Sequence, residues 1–378
     1  MNKSDNKILK EIAGLFLKLG TIGFGGPAAH IAMMQEEVVN KRKWIDEQHF
    51  LDLIGATNLI PGPNSTEMAV HIGHEKAGWK GLIIAGLCFI LPAVIITGLF
   101  AVLYKEYGQL PQLKPFIYGI KPAIIAIILA AIYPLAKKSL KTVGLGIIGI
   151  ISLILCLINI NEIYVMFGAG LIALVLAAFR NNKFSSLKSF FPFSLVNITG
   201  TGILGTGNLG IFLTFLKIGA ILYGSGYVLF AFLDTELVAK GILSRQQLID
   251  AIAVGQFTPG PVFSSVTFIG YQINGFTGAI VSTIGIFLPS FIFVALLNPL
   301  VKKMRNSVLF SAFLDAVNVA SVAIIVAICY QLGKDVLVDW RSILIAIASL
   351  FITFRFRKIN TALIVLGGSL AGYILTMI

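Results

Sequence analysis

The fold class this sequence predicts is an all-α, polytopic membrane protein of two inverted-topology repeats, with broken or re-entrant helices, about ten crossings and two re-entrant segments. Three observations predict it. Of 378 residues, 57% are hydrophobic and only 12% charged, against about 25% charged in a soluble domain. One ordered motif occurs twice: Phe16-Leu-Lys-Leu-Gly20, Pro61-Gly-Pro63 and Leu91-Pro92 recur as Phe215-Leu-Lys-Ile-Gly219, Pro259-Gly-Pro261 and Leu288-Pro289. The basic loops fall at different places in the two copies, as they do when related segments cross in opposite senses.

Two single-residue gaps bring Phe16 onto Phe215, Gly62 onto Gly260, Pro92 onto Pro289 and Tyr133 onto Tyr330. The first repeat is read as 1–180, the linker as 181–207 and the second repeat as 208–378. Apolar segments lie near 8–34, 51–74, 79–104, 113–136, 142–159 and 161–179. Their counterparts lie near 208–232, 248–273, 276–300, 310–332, 339–354 and 360–378. Runs such as Gly81–Tyr104 and Thr142–Ile160 approach the roughly 20 residues that cross hydrocarbon. Residues 1–10 are polar and basic with no small-residue cleavage site after them, so no cleavable signal peptide is expected. The stretch Gln35–Asp52, with its mate Asp234–Asp250, is of mixed charge and reads as an interfacial amphipathic segment.

In the first repeat Lys137, Lys138 and Lys141 follow the fourth segment, and Arg180, Lys183 and Lys188 follow the sixth. In the second, Lys302, Lys303 and Arg305 follow the third, and Arg355, Arg357 and Lys358 follow the fifth. Equivalent loops then lie on opposite sides of the membrane. Inversion requires an odd number of crossings per half, so the Pro-Gly-Pro segment is expected to be re-entrant. That arrangement places Lys3, Lys7 and Lys10 outside, against the positive-inside trend. The net charge of +12 is accounted for by these short loops, so nucleic acid is not an expected partner. Cys88, Cys156 and Cys329 stand singly in apolar runs and read as small apolar residues.

Chemistry is expected at the breaks. Pro disfavours helical geometry in the residue before it, so a helix from about residue 51 should end near Ile60. Pro63 suits the first position of a new helix, leaving the amides of Asn64, Ser65 and Thr66 at a helix start that attracts anions. Gly260, Ser264 and Ser265 repeat the arrangement; the plain alternative is a Pro kink. Gly20-Thr-Ile-Gly-Phe-Gly-Gly-Pro27, with Gly25 and Gly26, and its mate through Gly224 and Ser225 hold too much Gly for one continuous helix. Broken backbone at membrane depth survives only against protein or a water-filled cavity; close helix packing is the alternative. Lys18 and Lys217 share a repeat position in apolar sequence with no carboxylate close by in the chain, a pattern that suits a bound dianion or snorkelling to an interface. Lys121 and its mate Asn318 are matched polar residues. Glu67 and His71 share a helix face and are the candidates for carrying a coupling proton. His71, His74 and Glu75 lack the His-Glu-x-x-His order of a zinc site; neither metal nor cofactor is expected.

These strings resemble the chromate ion transporter family in its long, two-domain form. The resemblance rests on Phe16-Leu-Lys-Leu-Gly20, Phe24-Gly-Gly-Pro-Ala-Ala-His30, Glu37, Trp44, Pro61-Gly-Pro63, Gly78 and Leu91-Pro92. In the second half it rests on Phe215-Leu-Lys-Ile-Gly219, Gln256, Thr258, Gly260-Pro261, Thr267-Phe-Ile-Gly-Tyr271 and Leu288-Pro289. It implies a secondary transporter that moves chromate outward by alternating access, with sulfate as its chemical mimic, in a bacterial inner membrane. Tyr223-Gly-Ser-Gly226 stands where the first half has Phe-Gly-Gly-Pro. The expected partners are a chromate- or sulfate-like oxyanion, the bilayer, a proton or other coupling ion, and a second copy of the chain. A carrier of sulfate or another oxyanion, and an anion channel, are the rival readings. An intramembrane enzyme would need a nucleophile or metal set that does not recur here.

Overall fold

The computed structural model describes residues 3–24, 26–108, 110, 114–180, 207–297, 307–356 and 359–377. The linker after Arg180 and most of the basic residues used for orientation in the second half (Lys302, Lys303, Arg305, Arg357 and Lys358) lie outside them. The described residues are helical, with no strand among them. The first half runs α1 (Lys3–Ile22), α2 (Gly26–Gln35), a π-helical turn (Glu36–Lys41), α3 (Glu47–Thr57), α4 (Asn64–Tyr107), α5 (Lys114–Ser139), α6 (Val143–Leu157) and α7 (Glu162–Arg180). The second repeats the order: α8 (Asn208–Ile221), α9 (Val228–Leu233), a π-helical turn (Asp234–Val238), α10 (Arg245–Phe257), α11 (Ser265–Leu297), α12 (Val308–Val336), α13 (Trp340–Arg355) and α14 (Thr361–Met377).

The local signals that start these helices also repeat. Asp46 caps α3 by accepting the His49 N–H at 2.8 Å, and Ser244 caps α10 in a box with Gln247. Thr142 caps α6 and Asp339 caps α13, each accepting an N–H three residues on. A side-chain oxygen at these positions satisfies an orphan donor of the first turn.

α4 has 44 residues, or about 66 Å as a straight rod, roughly twice the hydrocarbon thickness. It is instead a hairpin, reversing at Ala77 and Gly78 (φ 57°). α11 reverses likewise at Asn274 and Gly275 (φ 59°). The arms run antiparallel and touch through glycine. A Cβ on Gly73 would strike the Gly81 carbonyl, and one on Gly86 would lie 2.9 Å from Val70. In the second half Ser282 donates to the Val266 carbonyl at 2.9 Å. Small residues let helix backbones approach this closely.

Packing crosses between the halves. α1 lies on α4 and α8 on α11, each within its own half. α5, however, packs on α13 and α14, while α12 packs on α6 and α7. The last helices are thus exchanged, with α5 against α12 and α4 against α11 at the centre. The largest buried cluster draws on both halves, from Ile124, Ile128 and Met166 to Phe215, Phe230 and Ile324. Leu99, Ile150, Phe179, Leu296 and Phe351 are exposed apolar side chains, as lipid contact demands. α4, α5, α7, α11 with its preceding turn, and α12 are long and apolar enough to cross a membrane.

Candidate functional site

The breaks of the two halves meet. α1 ends at Ile22 and α2 begins at Gly26; Gly25 lies outside the described residues. The Gly260 N–H of the second Pro-Gly-Pro donates to the Gly23 carbonyl in this gap at 2.7 Å. Reciprocally, the Gly62 N–H donates at 2.8 Å to the carbonyl of Leu222, the mate of Gly23. A carbonyl freed by the end of one half's first helix therefore holds the Pro-Gly-Pro of the other half, twice over. This reciprocity is what a two-fold relation between the halves produces. Gly62 (φ 133°) and Gly260 (φ 87°) occupy backbone that L side chains rarely adopt. A Cβ on Gly62 would also fall on Glu67 Oε1 and Ser290 Oγ. One on Gly260 would lie 2.9 Å from Ala93 Cβ and 3.2 Å from the Gly20 carbonyl oxygen.

Each Pro-Gly-Pro leads into a helix. Pro63 precedes α4, and Pro261 precedes a short 3₁₀ turn leading into α11. The Thr66 and Glu67 amides already donate to the Pro63 carbonyl, and the Ser264 amide to that of Pro261. This corrects the expectation that the Thr66 amide is free. Ser65, Thr66, Glu67, His71, Ser264 and Ser265 are all buried, at 0–2% exposure. Thr66 Oγ1, Glu67 Oε2, both ring nitrogens of His71, Ser265 Oγ and Gln256 Nε2 have no hydrogen-bond partner among the described residues. Buried polar groups without partners are rare and costly, and these make the region around the breaks the candidate site.

Other polar contacts lie near the breaks. Ser290 donates to Glu67 Oε1 at 3.4 Å from the opposite half, and Thr97 lies 3.3 Å from Ser264 across the same boundary. Gly224 sits beside Ser321, with Asn318 Oδ1 3.7 Å from its Cβ position. Ser321 donates to the Tyr223 carbonyl at 3.1 Å. Ser225 accepts the Tyr227 amide at 3.4 Å, and Asn64 donates to Asn58 at 3.0 Å. The open face of Gly26 has no heavy atom within 4 Å.

The three lysines each have a carboxylate. Lys18 pairs with Glu37 at 2.9 Å and Lys217 with Glu236 at 2.6 Å. This corrects the reading that they lack one: the partner lies on the π-helical turn beyond the break. Lys41 and Arg42 join Glu37 at 3.5 and 3.4 Å, and Lys240 joins Glu236 at 2.6 Å. The hydrogen bond from Lys18 holds the Glu37 carboxyl below its ordinary range. Burial pushes Glu236 up, but its two lysines outweigh it and the carboxyl also lies low. Lys121 pairs with Asp250 at 3.5 Å, and Asp250 also accepts from Tyr104 at 2.6 Å and from Gln246.

Sequence reasoning missed Ser290, Thr97 and Tyr104. Ser290 directly follows the aligned Pro289, but its mate is Ala93, so a search for matched polar residues passes over it.

Paired half-units, exchanged helices and a polar crossing of broken helices in an apolar shell define a membrane transport protein. The sequence profile of the family described as "Chromate transporter" matches residues 10–174 and again 209–373; the chain belongs to that family. It is 31% identical to the "Probable chromate transport protein" of Synechococcus elongatus, over 97% of this chain and 95% of that one. It is 30% identical to the "Chromate transport protein" of Cupriavidus metallidurans, over 97% and 93%. An uncharacterized transporter of Bacillus subtilis is 29% identical over 46% of this chain and 87% of its own length. No solved structure matches the chain.

Proposed function

We propose that the chain is a secondary carrier that moves chromate, or a sulfate-like tetrahedral oxyanion, out across the plasma membrane by alternating access at the crossing. The observation that carries this reading is the reciprocal pair of bonds, Gly62 to Leu222 and Gly260 to Gly23. Each bond ties the Pro-Gly-Pro of one half to the end of the other half's first helix, which supports a site between the halves. A dianion leaving water needs its hydration replaced. Helix-start dipoles, the hydroxyls of Ser65, Thr66, Ser264 and Ser265, and polar Asn64, Asn318 and Ser225 are its replacements, and the glycines at 25, 26, 62, 224 and 260 let it reach backbone. Lys18, Lys217 and Lys121 act from their ion pairs, biasing the local potential toward anions. Glu67 and His71 carry the coupling ion.

The halves are inverted in the membrane, with about ten crossings and the two Pro-Gly-Pro segments re-entrant. The antiparallel hairpins of α4 and α11 and the exchanged packing of α5 and α12 support this arrangement. Rocking one half against the other exposes the crossing to each side in turn.

The test is chromate and sulfate flux in proteoliposomes of known orientation. A carrier shows saturation and counterflow, in which unlabelled oxyanion on one side drives labelled oxyanion from the other. Flux without counterflow would mark a channel and sink alternating access. Lys18→Ala and Lys217→Ala should each weaken flux without loss of inserted protein.

A further inference from the structure

The crossing is two-fold in backbone but not in chemistry. Glu67 aligns with Ser265, and Ser290 with Ala93. The carboxyl thus occurs in the first half only, and the hydroxyl that touches it comes from the second half only, at 3.4 Å. Both residues are fully buried, and Glu67 Oε2 is left without a partner. Lys18 and Lys217 do not supply the missing charge, because they are committed to Glu37 and Glu236. The titratable groups facing Glu67 are Tyr223, from the segment after α8, and His71 one turn along α4; α11 presents the non-titrating Ser290.

We infer that one half alone carries the proton: Glu67, positioned across the interface by Ser290, takes up a proton when the oxyanion occupies the crossing. This rests on the crossing being the oxyanion site. A dianion beside an ionised carboxylate in a buried setting is strongly unfavourable, since like charges repel there with little screening. A proton from the water on the loading side binds a Glu67 oxygen as the anion arrives. It leaves to water on the releasing side, and no bond within the oxyanion changes. Oxyanion and proton therefore travel in the same direction. Ser290 is a positioning residue: its hydroxyl fixes Oε1 and so presents Oε2 to the site.

The test is proton uptake on binding, measured calorimetrically in buffers of different ionisation enthalpy on the purified full chain. Sulfate is the probe because it carries no titrating proton near neutrality. At a pH high enough to ionise Glu67 in the empty crossing, the wild type should take up about one proton per sulfate bound, and Glu67→Gln none per sulfate bound. Ser290→Ala should keep the uptake but move its pH midpoint, and Ser290→Thr should restore the midpoint. The triple variant Glu67→Ser, Ser265→Glu, Ala93→Ser moves the pair to the other half and should recover the uptake. Uptake by Glu67→Gln equal to the wild type's, sulfate binding by the wild type without uptake, or no recovery in the triple variant would overturn the inference. If Glu67→Gln does not fold, Glu67→Asp, which draws the carboxyl back from Ser290, must keep the uptake with a moved midpoint; an unmoved midpoint overturns the positioning role. A wild type that binds neither sulfate nor chromate refutes the underlying oxyanion reading instead.

Discussion

Gly14→Ala and Gly20→Ala change the same helix, α1, in the same way, yet the structure predicts opposite signs. Ala in place of Gly in a helix gains about 0.5–1 kcal/mol. Gly14 is exposed and a Cβ there meets no heavy atom within 4 Å, so the gain is kept. Gly20 is buried, and its Cβ would collide with the carbonyl oxygen of Phe89, with Phe89 C at 3.1 Å and Cα at 3.2 Å. These are backbone atoms of α4 and cannot rotate aside. α1 must retreat, and overpacking of this kind costs about 1–3 kcal/mol. The retreat also disturbs Gly260, whose Cβ position lies 3.2 Å from the Gly20 carbonyl oxygen. Subtracting the helix gain leaves Gly20→Ala about 1 kcal/mol less stable than wild type, within a range of about 0–2.5 kcal/mol. The helix gain is common to both variants, so they differ by the overpacking cost itself, about 1–3 kcal/mol, or roughly 5- to 140-fold in equilibrium population at 1.4 kcal/mol per tenfold. Gly219→Ala should behave like Gly20→Ala, because its Cβ meets the Ile286 backbone. The assay is the survival of monodisperse protein in detergent at fixed elevated temperature, read by fluorescence-detected size exclusion. If Gly20→Ala survives as long as Gly14→Ala, the close approach of α1 to α4 is wrong.

Other outcomes follow from the same geometry. Glu37 lies low because of Lys18, so its contribution to stability is complete above the unfolded value of about 4.3 and is lost as pH falls through the lower folded value. Survival against pH should show that acid step, and Lys18→Met should shrink it. Lys121→Met leaves the Asp250 carboxyl, 5% exposed, without a counter-charge and should cost about 3 kcal/mol. Lys121→Met with Asp250→Leu should recover most of that loss, as a double-mutant cycle of survival would show; a strictly additive pair would mean no coupling. Gly62→Ala and Gly260→Ala force a side chain into positive-φ backbone at about 1–3 kcal/mol each. Both should lose counterflow while still inserting.

Much of the fold was legible because its signals are local and occur twice. Pro61-Gly-Pro63 and its copy cannot continue a helix, and both sites are breaks. The glycine run 20–26 interrupts α1 and α2 as read. The turns at Gly78 and Gly275 fall at the boundaries read between apolar segments, 51–74 and 79–104, and 248–273 and 276–300; what was not singled out is the positive-φ glycine that makes each reversal. The exchange of α5 and α12 between halves is a long-range packing choice invisible in a linear pattern. The carboxylates of Lys18 and Lys217 were missed because contact was sought along one helix. The break folds the chain back and brings Glu37 and Glu236 across. Ser290 was missed because repeat symmetry, so useful for the backbone, hides the residues that break it.

Where the oxyanion sits decides the mechanism. An experimental structure of the chain soaked with selenate, a tetrahedral dianion whose selenium scatters anomalously, measures this directly. The expected result is one anomalous peak between Pro61-Gly-Pro63 and Pro259-Gly-Pro261, within hydrogen-bonding reach of Thr66 and Ser265. A peak at Lys18 and Glu37 or Lys217 and Glu236, with none at the crossing, would contradict it.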